Sequence, residues 1–269
     1  MIRINDINDP QLNIFRNTSE NQLYHYYEPA LGLFMAESLK VLTRAINAGF
    51  EPECALIEDK VLEDVLPVLK DYPDIPIYVA GFDVLTNLTG YHMTGGVLCA
   101  MKRKALVDAA ELCKPMSKIA ILEDVVNPTN IGAIFRNAAA LNVEAVLLSP
   151  GCCDPLYKRA IRVSMGTVFQ IPWTFIDEKD WPNNMMNSLK KEGFAFVAMA
   201  LDDKAVSISD ESLRGESKKA ILLGSEGNGL REDTLEMCDY TVMIPMSHGV
   251  DSLNVAAASA LAFWELAGK

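Results

Sequence analysis

The 269-residue chain reads as two α/β units in series, the second built on a mostly parallel sheet. Three observations predict this. Short apolar runs alternate with helical patterns along most of the length. The alternation restarts after a stretch near 106–117, "LVDAAELCKPMS", which reads as a linker. The strand-like runs of the second series are apolar throughout, as expected of strands covered by helices on both faces.

Residues 1–23 are polar and Asn-rich, a lead-in or short helix. The stretch 24–50 reads as helix, with Leu33, Phe34, Ser38, Leu39, Leu42 and Ile46 tracing a stripe and Gly49 as its stop. A strand at 53–58, a helix at 60–72 broken at Pro67, a strand at 75–80, a short helix from Phe82 to Thr89 and a strand at 95–103 complete the first unit before residue 110. The second series opens with a strand at 118–125. A helix follows at 129–142, capped by Thr129 or Asn130, with Ile131, Ile134, Phe135, Ala138 and Ala139 as its core face. Strands then fall at 144–149, 169–176, 194–200 and 218–224, and helices at 155–166, 181–191 and 231–238. A β-type run from Tyr240 to Met246 leads through a polar loop into a last helix, for which Ser252 is a good N-cap. Leu253, Ala257, Leu261 and Trp264 fall on one face of that helix. Its alanines at 256, 257, 258, 260 and 262 let neighbouring backbone approach closely.

Composition narrows the class. Half of the residues are hydrophobic and the mean hydropathy is +0.12, which suits a well-cored globular chain. No apolar run is long enough to span a membrane, and "MIRINDINDP" lacks the pattern of a secretory leader. Six cysteines without a CxxC pair predict idle thiols in a reducing cytoplasm. Three scattered histidines (25, 92 and 248) predict no metal constellation. The net charge of −12 is spread evenly, with 9 basic and 15 acidic side chains in 1–110 and 15 and 21 in the remainder. That excludes a general nucleic-acid coat protein, because phosphate contacts need Lys and Arg. Any nucleic-acid binding must use local patches. Lys102-Arg103-Lys104 and Lys158-Arg159 with Arg162 qualify, and solvated surface explains either run equally well.

Three loops follow strands of the second unit, the place where open α/β sheets bind ligands. The first is "VNPTNIGAIFRNA", where Asn127-Pro128 makes a turn and Arg136 lies off the core face of the helix. A single such arginine is most simply a surface ion pair. The second is "LLGSEGNGL", whose glycines at 224, 227 and 229 permit positive φ and open backbone groups to a ligand. Its GSEGNG spacing and its late position argue against a dinucleotide site. Glu226 within it is, taken alone, a turn or cap residue. The third is "IPMSHGVDSLNV", from Ile244 to Val255.

Taken together and in this order, the loops resemble the SpoU/TrmH branch of the SPOUT methyltransferases, S-adenosylmethionine-dependent RNA ribose 2′-O-methylases. The family's N-x-G-x-x-x-R-N motif is matched by Asn130, Gly132, Arg136 and Asn137, and its G-S/N-E-G-x-G motif lies within Leu223 to Gly229. Its I-P-M-x-G-x-x-S-L-N-V-A/S motif is matched by Ile244 to Ala256, with one extra loop residue between Met246 and Gly249. The resemblance covers 118–269. "FMAESLKVLTRAINAG" and "TGGVLCAMKRK" loosely resemble the small ribosomal-protein-like substrate domain that often accompanies it.

The resemblance implies an RNA substrate-binding α/β domain at 1–108 and a trefoil-knotted SPOUT methyltransferase domain at 115–269, in which the C-terminal stretch threads through an earlier loop. It implies S-adenosylmethionine held by Leu223, Gly224, Gly227, Ile244, Met246 and Leu253. It implies Arg136 as the residue that deprotonates or orients the ribose hydroxyl, with Asn130, Glu226, Ser252 and Asn254 orienting it, the hydroxyl or the cofactor. It further implies a cytoplasmic homodimer joined through the C-terminal domain, acting on rRNA or tRNA without a metal. The runner-up is a non-catalytic RNA- or ribosome-binding relative, and the more distant rival is a nucleotide-dependent oxidoreductase.

Overall fold

The computed structural model describes residues 1–16, 18–28, 30–90, 95–202 and 205–267. Two compact units are present, one formed by 1–105 with 156–169 and the other by 106–155 with 170–269. Residues 156–169, within the domain expected at 115–269, group with the first unit.

In the first unit the chain runs β1 (Ile2–Ile4), α1 (Asn13–Arg16), α2 (Glu20–Tyr24), β2 (Leu33–Glu37), α3 (Leu39–Asn47), β3 (Pro52–Glu58), α4 (Leu62–Val65), β4 (Ile77–Ala80), α5 (Phe82–Thr89) and β5 (Val97–Lys102). The five strands form a mixed sheet in the order β1-β4-β3-β5-β2. The helix expected over 24–50 is a correction. Residues 33–37 are the strand β2, and the helix that follows it covers only 39–47. Leu33, Phe34, Met35 and Ala36 are all buried. A run of apolar residues covered on both faces suits a strand, and periodicity alone cannot tell it from a helix segment. Pro67 lies in a 3-10 turn directly after α4, as a ring that cannot donate a helical hydrogen bond requires.

The second unit continues with α6 (Ala109–Cys113), β6 (Lys118–Leu122), α7 (Pro128–Ala140) and β7 (Ala145–Leu148). Then α8 (Lys158–Val163) packs in the first unit against β2. The second unit resumes with β8 (Trp173–Phe175), α9 (Asn183–Lys191), β9 (Phe194–Met199), β10 (Val206–Ser207), β11 (Lys218–Leu223), α10 (Glu232–Glu236), β12 (Tyr240–Met243) and α11 (Val255–Leu266). Its strand order is β10-β12-β9-β11-β6-β7-β8, and every pairing is parallel. A parallel sheet puts the carboxyl ends of β6, β11 and β12 on one edge, so the three loops that follow them emerge side by side. The linker expected at 106–117 contains α6, capped by Asp108, and Ala109 and Cys113 of that helix are buried.

The helix starts also differ from expectation. α7 is capped by Asn127, whose side chain accepts from Thr129 N–H at 2.9 Å, with Pro128 at the first helical position where its missing N–H costs nothing. α11 is capped by Asn254 through Ala256 N–H at 3.0 Å, and Ser252 lies outside the helix. Ala139, expected in the core face of α7, is exposed. On α11 the buried side is Val255, Ser259, Ala262, Phe263 and Leu266, while Ala257, Leu261 and Trp264 face outward; Leu253, expected on that same helical face, precedes the helix.

All six cysteines are free, and burial pushes the Cys54, Cys113 and Cys238 thiols up to about 12 and Cys152 up to about 11. Such thiols are inert at neutral pH. Among the described residues no group of His, Cys, Asp and Glu could hold a metal, and no helix is long and apolar enough to cross a membrane. His92 lies outside the described residues.

Candidate active site

A cavity of about 560 Å³ opens at the carboxyl edge of the parallel sheet. The glycine loop after β11 forms one wall and the loop from β12 to α11 another, with Met199, Ala200 and Leu201 after β9 between them. Leu223, Gly224, Glu226, Gly227, Ile244, Met246, Ser252, Leu253 and Asn254 all line it. These are every one of the second- and third-motif residues proposed from the sequence.

The glycine loop closes on itself. Ser225 and Gly229 exchange backbone hydrogen bonds at 3.1 Å in both directions, and Asn228 N–H donates to Ser225 Oγ at 3.3 Å. Gly229 is left-handed, with φ +68°. A Cβ at position 224 would collide with the Gly229 carbonyl and the Leu230 nitrogen, so no other residue fits there without moving the loop. The third loop absorbs its extra residue in a tight turn. His248 (φ +60°) and Gly249 (φ +70°) are both left-handed, and Val250 N–H donates to the Ser247 carbonyl at 3.3 Å, the pattern of a type I′ turn.

Asn130, buried on α7, joins the three loops. Its Nδ2 donates to Glu226 Oε1 in the glycine loop, and its Oδ1 accepts from Asn254 Nδ2 at 3.2 Å in the third loop. Asn254 in turn caps α11. Seven residues further along α7, Asn137 Nδ2 donates to the Ala256 carbonyl at 2.8 Å and to Ser259 Oγ at 2.9 Å, fastening α7 to the first turn of α11. Arg136 does not line the cavity. It is six residues beyond Asn130, about 9 Å along the helix axis. The guanidinium is exposed and makes no hydrogen bond or ion pair among the described residues. The ion pair that a lone helical arginine would most simply make is absent from that set.

Sequence reasoning missed Glu123. Fully buried at the end of β6, it accepts from Trp181 Nε1 (2.7 Å), Thr234 Oγ1 (2.6 Å), Arg231 N–H (2.8 Å) and Arg231 Nε (3.1 Å). Its own N–H donates to the Leu223 carbonyl at 2.9 Å. Glu123 thus pins both ends of the glycine loop to β6. Nothing in its sequence neighbourhood marks it out from a surface carboxylate. The cavity residues Met199 to Leu201 were missed as well, although their place after β9, at the edge where ligands bind, was a usable signal.

The sequence profile described as SpoU rRNA Methylase family matches residues 117–264. The chain belongs to this family. A tRNA/rRNA methyltransferase of Mycobacterium tuberculosis, itself named as uncharacterized, is 37% identical over 97% of this chain and 89% of its own length. The 23S rRNA (guanosine-2′-O-)-methyltransferase RlmB of Acinetobacter baylyi is 29% identical over 77% of this chain and 84% of its own. In fold, the chain matches an AdoMet-bound rRNA methyltransferase from Sinorhizobium meliloti with a TM-score of 0.83 at 21% identity, over 98% of this chain and 96% of that one. The α/β architecture with its parallel sheet is therefore that of SpoU family methyltransferases.

The Glu123 clamp makes a measurable prediction. Glu123→Ala leaves the Trp181 and Thr234 donors buried without an acceptor and should cost about 3 kcal/mol in urea unfolding. A loss of under about 1 kcal/mol would mean that the clamp does not hold the loop.

Proposed function

We propose that the chain transfers a methyl group from S-adenosylmethionine to a ribose 2′-hydroxyl in rRNA or tRNA. The observation that carries this reading is the cavity where the second and third motif loops meet, tied to the first through Asn130. The printed names of the relatives, one a tRNA/rRNA methyltransferase and one a 23S rRNA (guanosine-2′-O-)-methyltransferase, support the substrate class. An RNA substrate implies action in the cytoplasm.

The residues present suit S-adenosylmethionine. Leu223, Ile244, Met246 and Leu253 offer apolar walls for an adenine ring, and Gly224 and Gly227 put side-chain-free backbone on the cavity. When bound, the cofactor supplies a methyl group made electrophilic by its sulfonium. In-line displacement demands mainly that the ribose oxygen be aligned with that methyl carbon, so the chain's task is positioning. Asn130 holds Glu226 and Asn254 in fixed relation, and Ser252 borders the same cavity. A guanidinium stays protonated at neutral pH. Arg136 therefore acts by holding the ribose or an adjoining phosphate, and by stabilising the negative charge that develops on the 2′-oxygen as its proton passes to solvent water.

Three further assignments belong to the same reading. The second unit is a trefoil knot, a reading supported by the return of α11 from β12 to lie against α7 and β11. The first unit is the RNA substrate domain. The protein is a homodimer joined through α11. Its support is the outward stripe of Ala257, Leu261 (45% exposed) and Trp264 (58% exposed), apolar surface that a lone subunit leaves in water.

Arg136→Ala should lower the single-turnover rate on the cognate RNA by about a hundredfold or more, with cofactor affinity little changed. Arg136→Lys should rescue poorly, because an ammonium lacks the planar fork that can hold a phosphate and a hydroxyl together. Near-normal rates in Arg136→Ala would contradict the role given to Arg136, whereas no methylation by the natural chain would favour a binding protein that keeps the fold without the catalysis. For the assembly, Trp264→Asp should convert the dimer to a monomer in sedimentation. A natural chain that sediments as a monomer at micromolar concentration would contradict the assignment.

A further inference from the structure

Five cations gather on two neighbouring helices of the first unit. α3 carries Lys40 and Arg44, four residues apart and so on one face, and α8 carries Lys158, Arg159 and Arg162. Two contacts bring the helices into register. Arg162 donates from Nε (3.0 Å) and Nη2 (2.5 Å) to Glu37 Oε2, just before α3. Arg44 Nη1 donates to the Met165 carbonyl at 2.7 Å, just after α8. Neither 38–47 nor 156–169 contains an acidic residue. Glu37 and Glu20 reach this face, the latter accepting from Lys158 N–H at 2.8 Å. In a chain of net charge −12, two segments that carry five cations and no acid of their own are locally basic. Lys40, Arg159 and Arg162 are exposed there.

The other basic run of the first unit is differently placed. Lys102 lies 3.7 Å from both Glu51 and Glu53. Arg103 Nε donates to the Leu33 carbonyl at 3.1 Å, with its guanidinium over the Tyr24 ring, and Lys104 Nζ donates to the Ala48 carbonyl at 2.8 Å. Lys102 faces acids, Arg103 braces β2, and Lys104 holds the carbonyl at the end of α3.

We propose that the α3–α8 face binds the phosphate backbone of the RNA substrate, an inference that rests on the RNA-methylation reading above. Arg44 and Arg162 are held by their protein partners and present charge at fixed positions, while Lys40 and Arg159 extend the field outward. Cations of this kind release condensed counterions from RNA and set its register without reading sequence. A locally positive face also explains how a strongly acidic chain engages a polyanion.

The test measures binding of deproteinised bacterial large-subunit rRNA by filter retention across a range of salt. The double variant Lys40→Glu/Arg159→Glu should bind about tenfold or more weakly at moderate salt and should flatten the dependence of log K on log salt by about one to two. The charge-matched control Lys70→Glu/Lys179→Glu, which leaves the face intact, should bind within about twofold of the natural chain. Equal affinity and slope in the Lys40/Arg159 variant would overturn the proposal, and so would an equal loss in both variants. Calorimetry with S-adenosylmethionine on the same proteins keeps the two readings apart. Intact cofactor binding with unaltered RNA affinity defeats the face alone, whereas no cofactor binding by the natural chain defeats the methyltransferase reading on which it rests.

Discussion

The two hydrogen bonds of the Asn130 side chain hold the candidate site together. An amide is the side chain that can donate on one side and accept on the other, and Asn130 uses both, to Glu226 and from Asn254. Its backbone is fixed within α7, and its side chain is buried, where a hydrogen bond left unmade is expensive. Three segments far apart in sequence are thereby fastened at one point. The parallel sheet makes this possible by delivering their strands to a common edge.

Around that point the structure spends rigidity on backbone. Glu123 ties the glycine loop at both ends to β6, Gly224 lets the loop fold onto its own carbonyl, and Asn137 grips the first turn of α11. A site defined this way recognises its ligand chiefly through backbone groups and apolar walls. The exposed, unpaired Arg136 stands apart from it, one helix face away and turned to solvent. That separation matches a division of labour between holding a cofactor and meeting a second, larger substrate.

Much of this was legible in the sequence. Nine residues that line the cavity are ones the resemblance to the SpoU/TrmH motifs implies, while the glycine spacing and strand-loop-helix order point only to loops with open backbone at that sheet edge. What failed did so for physical reasons. Leu33 to Ala36 fitted a helical stripe as well as a strand, since an element buried on both faces has no periodicity to read. Ser252 satisfied the statistics of a cap, but Asn254 makes the bond. The stripe through Leu261 and Trp264 was correctly found on one face, yet apolar spacing does not say whether that face meets the protein's own core or another surface. Glu123 was invisible because its four donors come from segments more than fifty residues away. The cluster of Lys40 and Arg44 with Lys158, Arg159 and Arg162 is likewise a product of folding, as no sequence window contains it.

The most direct measurement of the central claim, that the three loops make one S-adenosylmethionine site, is a calorimetric titration of the purified natural chain with S-adenosylmethionine and, separately, with NAD. The account predicts saturable binding of S-adenosylmethionine, one per subunit, and no specific heat with NAD. Specific binding of NAD together with no binding of S-adenosylmethionine would contradict it.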